Sequence, residues 1–278
     1  MTAPPNGPTA PPNGPTAPPN DSTAAATGPA TRAEICVTAC ADAWRGDGEI
    51  LASPMGVVPT LGARLARATF APDLVLSDGL AYLLAGDIPL GAAPDALTVE
   101  GWLPYRAVLD LAARGRRHVM MGPSQIDAYG NANISCIGPW ARPTRQLLGA
   151  RGAPGNTVNH TTSYWVPRHA PRAFVERVDV VCGIGYGRAA AVGRAARFHG
   201  LRTVVTNLCV LDFGGPGHHM RLASLHPGVT LEQVVAATGF RLTVPARVPT
   251  TRQPTDAELR VLRDVLDPRS ARDREVPA

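Results

Sequence analysis

The sequence predicts an α/β fold: an open, mostly parallel β-sheet flanked by helices. Three observations carry that expectation. Short apolar runs recur at residues 74–77, 118–122, 134–137, 178–183, 202–206 and 220–225. Several are continuous rather than alternating, as in strands buried on both faces. Three capping boxes, "TRAE" at 31–34, "TLEQ" at 230–233 and "TDAE" at 255–258, mark helix starts before and after these runs. In such a box the Thr hydroxyl accepts the backbone N–H three residues on, and the Glu or Gln there reaches back. Strands alternating with helices argue for an open α/β sheet.

Residues 1–30 differ from the rest. "TAPPNGP" occurs at 2–8 and 9–15, and a third copy degrades after Asn20. Pro and Gly dominate, so the segment cannot bury enough surface to offset its ordering entropy. It reads as a disordered tail, leaving 31–278 as the folded domain. The first helix should run from the Thr31 cap to about Arg45, with Ile35, Ala39 and Ala43 on its apolar face. A second should cover 61–70, where Pro72 blocks continuation. A strand at 74–77 then ends at Ser77-Asp78-Gly79. The second box opens a helix to about Ala237. The third opens one that ends near Asp267, before Pro268.

Composition narrows the function classes. All 27 basic residues are Arg, and the net charge is +5. The arginines are scattered, aromatics are only 5%, and no basic run is interleaved with stacking residues. No nucleic-acid partner is therefore expected. No apolar stretch reaches the ~18 residues of a membrane span, and no secretory leader is evident, so a soluble cytoplasmic chain is expected. Five cysteines, Cys36, Cys40, Cys136, Cys182 and Cys209, form no CxxC pair. Buried reduced thiols are the expectation, not a metal site.

Four segments gather polar residues and glycines, and in open α/β sheets ligand sites lie beyond the carboxyl ends of strands. Asp78 stands in an Asp-Gly pair, which is ordinary turn chemistry unless the carboxylate acts. "GPSQIDAYGNANIS" at 122–135 fits a hairpin with its turn at 127–131, and Gln125 and Asn133 are possible hydrogen-bonding groups. "ARPTRQLLGARGAPGNTVNHTTSYW" at 141–165 reads as a long loop rich in specific side chains. Long loops in compact domains are usually functional or disordered. "FGGPGHHM" at 213–220 offers His218 and His219, which lack acidic neighbours in sequence. No GxSxG elbow, P-loop or GxGxxG after a strand occurs.

"MGPSQIDAYGNANIS", "RGAPGN", "SYW", "VDVVCGIGY", "VVTNLCVLDFGG" and "LHPGVTLEQVVAATGF" resemble the beta subunit of class I coenzyme A transferases of the glutaconate type. The resemblance runs from about Thr31 to the C-terminus. "GARLARATFAPDLVLSDG", "GAPGNTVNHTTSYW" and "DPRSARDRE" narrow it to the beta subunits of actinobacterial steroid-ring-opening hydrolases. It implies a CoA-transferase (Rossmann-like) fold and an acyl-CoA substrate. It also implies no metal and no cofactor beyond the coenzyme A of the substrate. The implied partner is an alpha subunit, in a heterotetramer of two alpha and two beta chains. In the transferases a strand-end Glu attacks the acyl-CoA and forms a thioester. The resemblance puts Asp78 at or beside that position, more than ~1 Å short of a Glu's reach, which can cost ~100-fold in rate.

The hydrolase branch implies C–C cleavage of a carboxyethyl-methyl-oxocyclohexene-carboxyl-CoA thioester, with the principal carboxylate on the alpha chain. On that reading Arg151, and after it Arg145, binds the substrate carboxylate or a carbonyl. Backbone N–H groups around Gly152, Gly155 and Asn156 stabilise enolate charge. Asn131, Asn156 and Tyr164 add polar contacts, and Asp78 lines the pocket or holds a turn. Two other readings stand beside it: a conventional CoA-transferase with Asp78 as nucleophile, and a non-catalytic structural subunit.

Overall fold

The computed structural model describes residues 28–114 and 116–276. Residues 1–27 of the expected disordered tail lie outside the described residues.

The elements in chain order are α1 (Arg32–Asp42), β1 (Leu51–Pro54), α2 (Val57–Thr69), β2 (Leu76–Ser77), β3 (Tyr82–Ala85), β4 (Thr98–Trp102), α3 (Tyr105–Arg114) and β5 (Arg117–Met121). Four two-residue strands follow, β6 (Gln125–Ile126), β7 (Ala132–Asn133), β8 (Cys136–Ile137) and β9 (Arg145–Gln146). Then come α4 (Ala153–Asn159), β10 (Thr161–Val166), α5 (Tyr186–Val192), β11 (Gly200–Thr206), β12 (Cys209–Asp212), β13 (Arg221–Leu225), α6 (Leu231–Ala236), α7 (Asp256–Arg260) and α8 (Arg272–Glu275).

All three capping boxes form, at Thr31, Thr230 and Thr255. Glu34 does more than cap α1. It is fully buried and pairs with Arg263 at 2.7 Å and Arg272 at 2.9 Å. Those two guanidiniums offset the cost of taking its charge out of water. They also tie the first helix to the C-terminal segment.

The main sheet runs β1–β5–β10–β11–β12–β13. Its first three pairings are parallel and its last two antiparallel. The sheet is thus mixed. The change of sense follows from a tight turn at Asn207-Leu208, where the Thr206 hydroxyl accepts the N–H groups of Leu208 and Cys209. So short a connection can only join antiparallel neighbours.

Successive strand residues feed two cores. Met120, Trp165 and Val205 pack with α1 and α2, while Val119, Met121, Tyr164, Val166 and Val204 pack with Ile126 and Phe174 on the other face. Burial on both faces explains the continuous apolar runs. Helices α1 and α2 cross at close range: a Cβ on Gly62 would lie 2.8 Å from Cys40 Cβ and 2.9 Å from Ala41 N. Cys36 and Cys40 share this interface, and all five cysteines are buried. Burial pushes the Cys36 thiol up to about 12, so little reactive thiolate forms there.

Three expectations need correction. Residues 178–183 form no strand; only Gly183 bridges Ala132, because the segment crosses the β6–β7 hairpin and its Cys182 and Gly183 N–H groups both bond Ala132 O. The strand expected at 134–137 shrinks to β8, paired with β9. The loop expected at 141–165 contains α4 and all but the last residue of β10, a central strand paired with β5 on one side and β11 on the other. Several of its polar residues bond inside the protein. Ser163 Oγ lies 2.9 Å from His118 Nε2, and the Tyr164 hydroxyl donates to Gly130 O at 3.2 Å. Among the described residues no helix is long and apolar enough to cross a membrane.

A candidate acyl-binding cavity at the sheet edge

Strand β1 is the sheet edge, and the chain returns to it after α2. Val75 bridges Leu51 in parallel sense before β2 turns away into a small antiparallel sheet, β2–β3–β4. The divergence leaves a cavity of about 370 Å³ between β1, α2, the turn after β2, and α3. That size falls in the range of small-molecule sites. Met55, Leu80, Leu103, Val108 and Leu111 give it an apolar wall. Ser53, Arg64, Ser77, Asp78 and Arg117 supply polar groups.

Asp78 lies one residue beyond the strand, whose last residue is Ser77. Its Oδ1 accepts three backbone N–H groups, from Leu80 at 2.8 Å, Ala81 at 2.9 Å and Tyr82 at 3.0 Å. What burial it has raises its pKa, but the N–H groups of Tyr82, Leu80 and Ala81 outweigh that and hold the carboxyl below its usual value. A carboxylate stabilised in this way is a poor nucleophile. Asp78 therefore lines the cavity and holds its turn.

Arg117, which the sequence reading did not single out, opens β5 on the far wall. Its Nε donates to Ser53 Oγ and its Nη1 to Asn156 Oδ1, both at 3.2 Å. Arg64 reaches in from α2, with Nη1 donating to Ile88 O at 2.9 Å. Burial lowers the pKa of both guanidines. Among the described residues neither has a carboxylate within ion-pair distance. Arginine remains charged at any physiological pH, so the cavity carries two cations against one carboxylate already engaged in its turn.

The remaining expected residues scatter. Asn156 is buried and meets the cavity only through Arg117. Tyr164 is sealed in the core on the other face of the sheet, and burial holds its phenol far above its usual pKa. Asn131 is also structural: its amide donates to Asp127 and its Oδ1 accepts Gly185 N–H, locking the β6–β7 hairpin. Arg145 and Arg151 are exposed and do not line this cavity. Of the N–H groups expected near Gly152 and Gly155, those of Ala153 and Asn156 bond to Ala150 O and Gly152 O. Pro154 has none.

A second constellation resembles catalytic machinery and is not. His118 sets Nδ1 2.7 Å from Asp47 Oδ2 and Nε2 2.9 Å from Ser163 Oγ. That is the order of a Ser-His-Asp relay. Both His118 and Ser163 are fully buried, so no substrate reaches the hydroxyl. The trio fastens β5 and β10 to the loop after α1.

Outside the cavity mouth, apolar side chains face solvent. Tyr82 and Trp102 stand directly opposite each other on β3 and β4. Trp102 is 73% exposed, Tyr105 76% and Leu80 79%. Exposed large side chains grouped in this way mark interaction surfaces.

Comparison with known proteins agrees with this architecture. The family profile described as coenzyme A transferase matches residues 109–237. The cholesterol ring-cleaving hydrolase IpdB subunit of Rhodococcus jostii (strain RHA1) is 56% identical over 88% of this chain and 96% of its own length. The chain belongs to the coenzyme A transferase family. The IpdB subunit of Mycobacterium tuberculosis (strain ATCC 25618 / H37Rv) is 54% identical over 88% of this chain and 98% of its own. The crystal structure of Rhodococcus jostii RHA1 IpdAB superposes with a TM-score of 0.86 at 54% identity, covering 90% of this chain and 99% of the matched one.

Proposed function

We propose that this chain is the beta subunit of a ring-cleaving hydrolase of steroid catabolism. It acts with an alpha-type subunit on a cyclic acyl-CoA thioester. The observation that carries this reading is the 56% identity, across 96% of its length, to a relative named a cholesterol ring-cleaving hydrolase subunit. The turn after β2 supports it, because the residues there are Ser77 and a hydrogen-bonded Asp78, with no Glu to form a thioester. The substrate is a carboxyethyl-methyl-oxocyclohexene-carboxyl-CoA. Water adds to the ring ketone carbon, a retro-Claisen-type step breaks the bond from that carbon to the thioester-bearing carbon, which takes up a proton, and the thioester survives. Coenzyme A enters as part of the substrate, and no other cofactor takes part. The alpha subunit supplies the principal carboxylate and covers the rim of Leu80, Tyr82, Trp102 and Tyr105, in a cytoplasmic heterotetramer of two alpha and two beta chains.

Family membership keeps the transferase reading in view, and acetate distinguishes the two. The complex of this chain with its alpha-type partner, given the cyclic thioester and acetate, should release no acetyl-CoA. Formation of acetyl-CoA at the rate of substrate loss would overturn the hydrolase reading.

A further inference from the structure

We infer that Arg117 and Arg64 form a carboxylate-binding subsite in the sheet-edge cavity, taking a ligand with a free carboxylate on a ring-sized hydrocarbon. The inference rests on the proposed function for which acid is bound, but not for the binding of a carboxylate as such.

Arg252 pairs with Asp42 and Glu258, Arg263 with Glu34, Arg272 with Glu34 and Asp267, Arg221 with Asp212, and Arg202 with Asp47. Removing a guanidinium from water is costly unless an anion compensates it. Arg117 and Arg64 are partly buried yet held only by neutral oxygens. Both line the same cavity.

The geometry of Arg117 leaves its fork usable. Ser53 and Asn156 take Nε and one Nη1 hydrogen, and Nη2 has no partner among the described residues. That nitrogen is not among the sealed unpaired atoms either. Asn156 is itself fixed, with Nδ2 on Met121 Sδ at 3.5 Å, so its Oδ1 holds the guanidinium in place. A pre-set planar fork suits the two oxygens of a carboxylate. Asp78, the carboxylate of this cavity, turns Oδ1 to three backbone N–H groups and forms no ion pair with either arginine. The apolar wall of Met55, Leu103, Val108 and Leu111 gives the rest of the ligand hydrocarbon contact. Hydrocarbon beside the arginines suits a carboxylate carried on a ring, and ADP serves below to tell that acid from the phosphates of coenzyme A. Arg117 thus takes the role that sequence reasoning assigned to Arg151.

The test uses the intact complex with the alpha-type partner and calorimetric titration of cyclohexanepropanoate, its amide, and ADP. Wild type should bind the acid at least about tenfold more tightly than the amide, the worth of one charge-assisted pair. Arg117→Gln and Arg64→Met should each weaken the acid about tenfold or more and leave the amide unchanged. Arg117→Lys, which keeps charge without the fork, should fall between. Equal melting temperatures of variants and wild type keep misfolding out of the comparison. Acid binding that is unchanged in Arg117→Gln, or equal for acid and amide in wild type, overturns the subsite. So does ADP binding that is lost in Arg117→Gln while acid binding persists. Failure of ring opening with carboxylate binding intact would fault the proposed function alone.

Discussion

Replacing Asp78 by Asn separates a turn from a nucleophile. In the structure Oδ1 accepts N–H groups from Leu80, Ala81 and Tyr82 at 2.8, 2.9 and 3.0 Å. Asn keeps a carbonyl oxygen in the same place and loses only the charge. The turn faces solvent, so any N–H that loses its partner can bond to water, and each bond contributes only about 0.5 kcal/mol. Asp78→Asn should therefore cost less than ~1 kcal/mol, and Asp78→Ala, which removes all three bonds, ~1.5 kcal/mol. Urea unfolding of the complex reads these values, and steady-state ring opening reads the chemistry. Asp78→Asn should keep kcat within about threefold of wild type, and Asp78→Ala should lose less than about tenfold in kcat/KM through a looser cavity wall. Loss of a true nucleophile costs on the order of 10⁴-fold or more. A fall of that size in Asp78→Asn, with urea stability unchanged, would make Asp78 a nucleophile after all.

Further outcomes follow from the same structure. Burial holds His169 at about 3 and His226 at about 4, below the ordinary histidine value. Both are neutral when folded and take up protons when unfolded, so stability is full above about pH 6.5 and falls as pH drops towards 4. The slope should be about 1.4 kcal/mol per pH unit for each histidine, and His226→Gln should flatten it in urea titrations at pH 7.5, 6 and 5. Gly185→Ala would place a Cβ 2.2 Å from Tyr129 O and 2.5 Å from Asn131 N. Backbone atoms cannot yield cheaply, so a loss of ~2 kcal/mol or more is expected by thermal unfolding. Trp102→Glu should leave the fold intact but weaken association with the alpha-type partner at least about tenfold by sedimentation; unchanged association would move the interface elsewhere.

What the sequence disclosed was mainly local chemistry. The boxes at Thr31, Thr230 and Thr255 announced three helix starts, because a cap is settled within four residues. Strands β5, β11 and β13 were legible as apolar runs. Strand β10 was not, since His160, Thr161, Thr162 and Ser163 resemble a surface loop until the strand pairs with β5 and β11 and Ser163 meets His118. Strand β1 hid for a similar reason, four residues ending in a proline. Of the small sheet, β2 was legible within the run at 74–77, but β4 exposes four of its five residues and β3 buries only Leu84, which left no clear alternation to read. The site shows the same limit. Asp78 stood out because Asp-Gly punctuates a strand end. Arg117 did not, because what distinguishes it is the absence of a carboxylate partner, a property of the tertiary structure. The signal available was "RGRRH", where the last of three arginines opens a buried strand and so must turn partly inward.

On the proposed function, this chain serves a reaction that breaks a ring C–C bond with water and leaves the thioester whole. The deciding experiment incubates the complex with the cyclic acyl-CoA in H₂¹⁸O and follows the coenzyme A species by mass spectrometry. The expected product is ring-opened, retains coenzyme A and carries one oxygen from water in its newly formed carboxylate. Free coenzyme A with the ring still closed, or ¹⁸O only in a carboxylate released from the thioester, would contradict it.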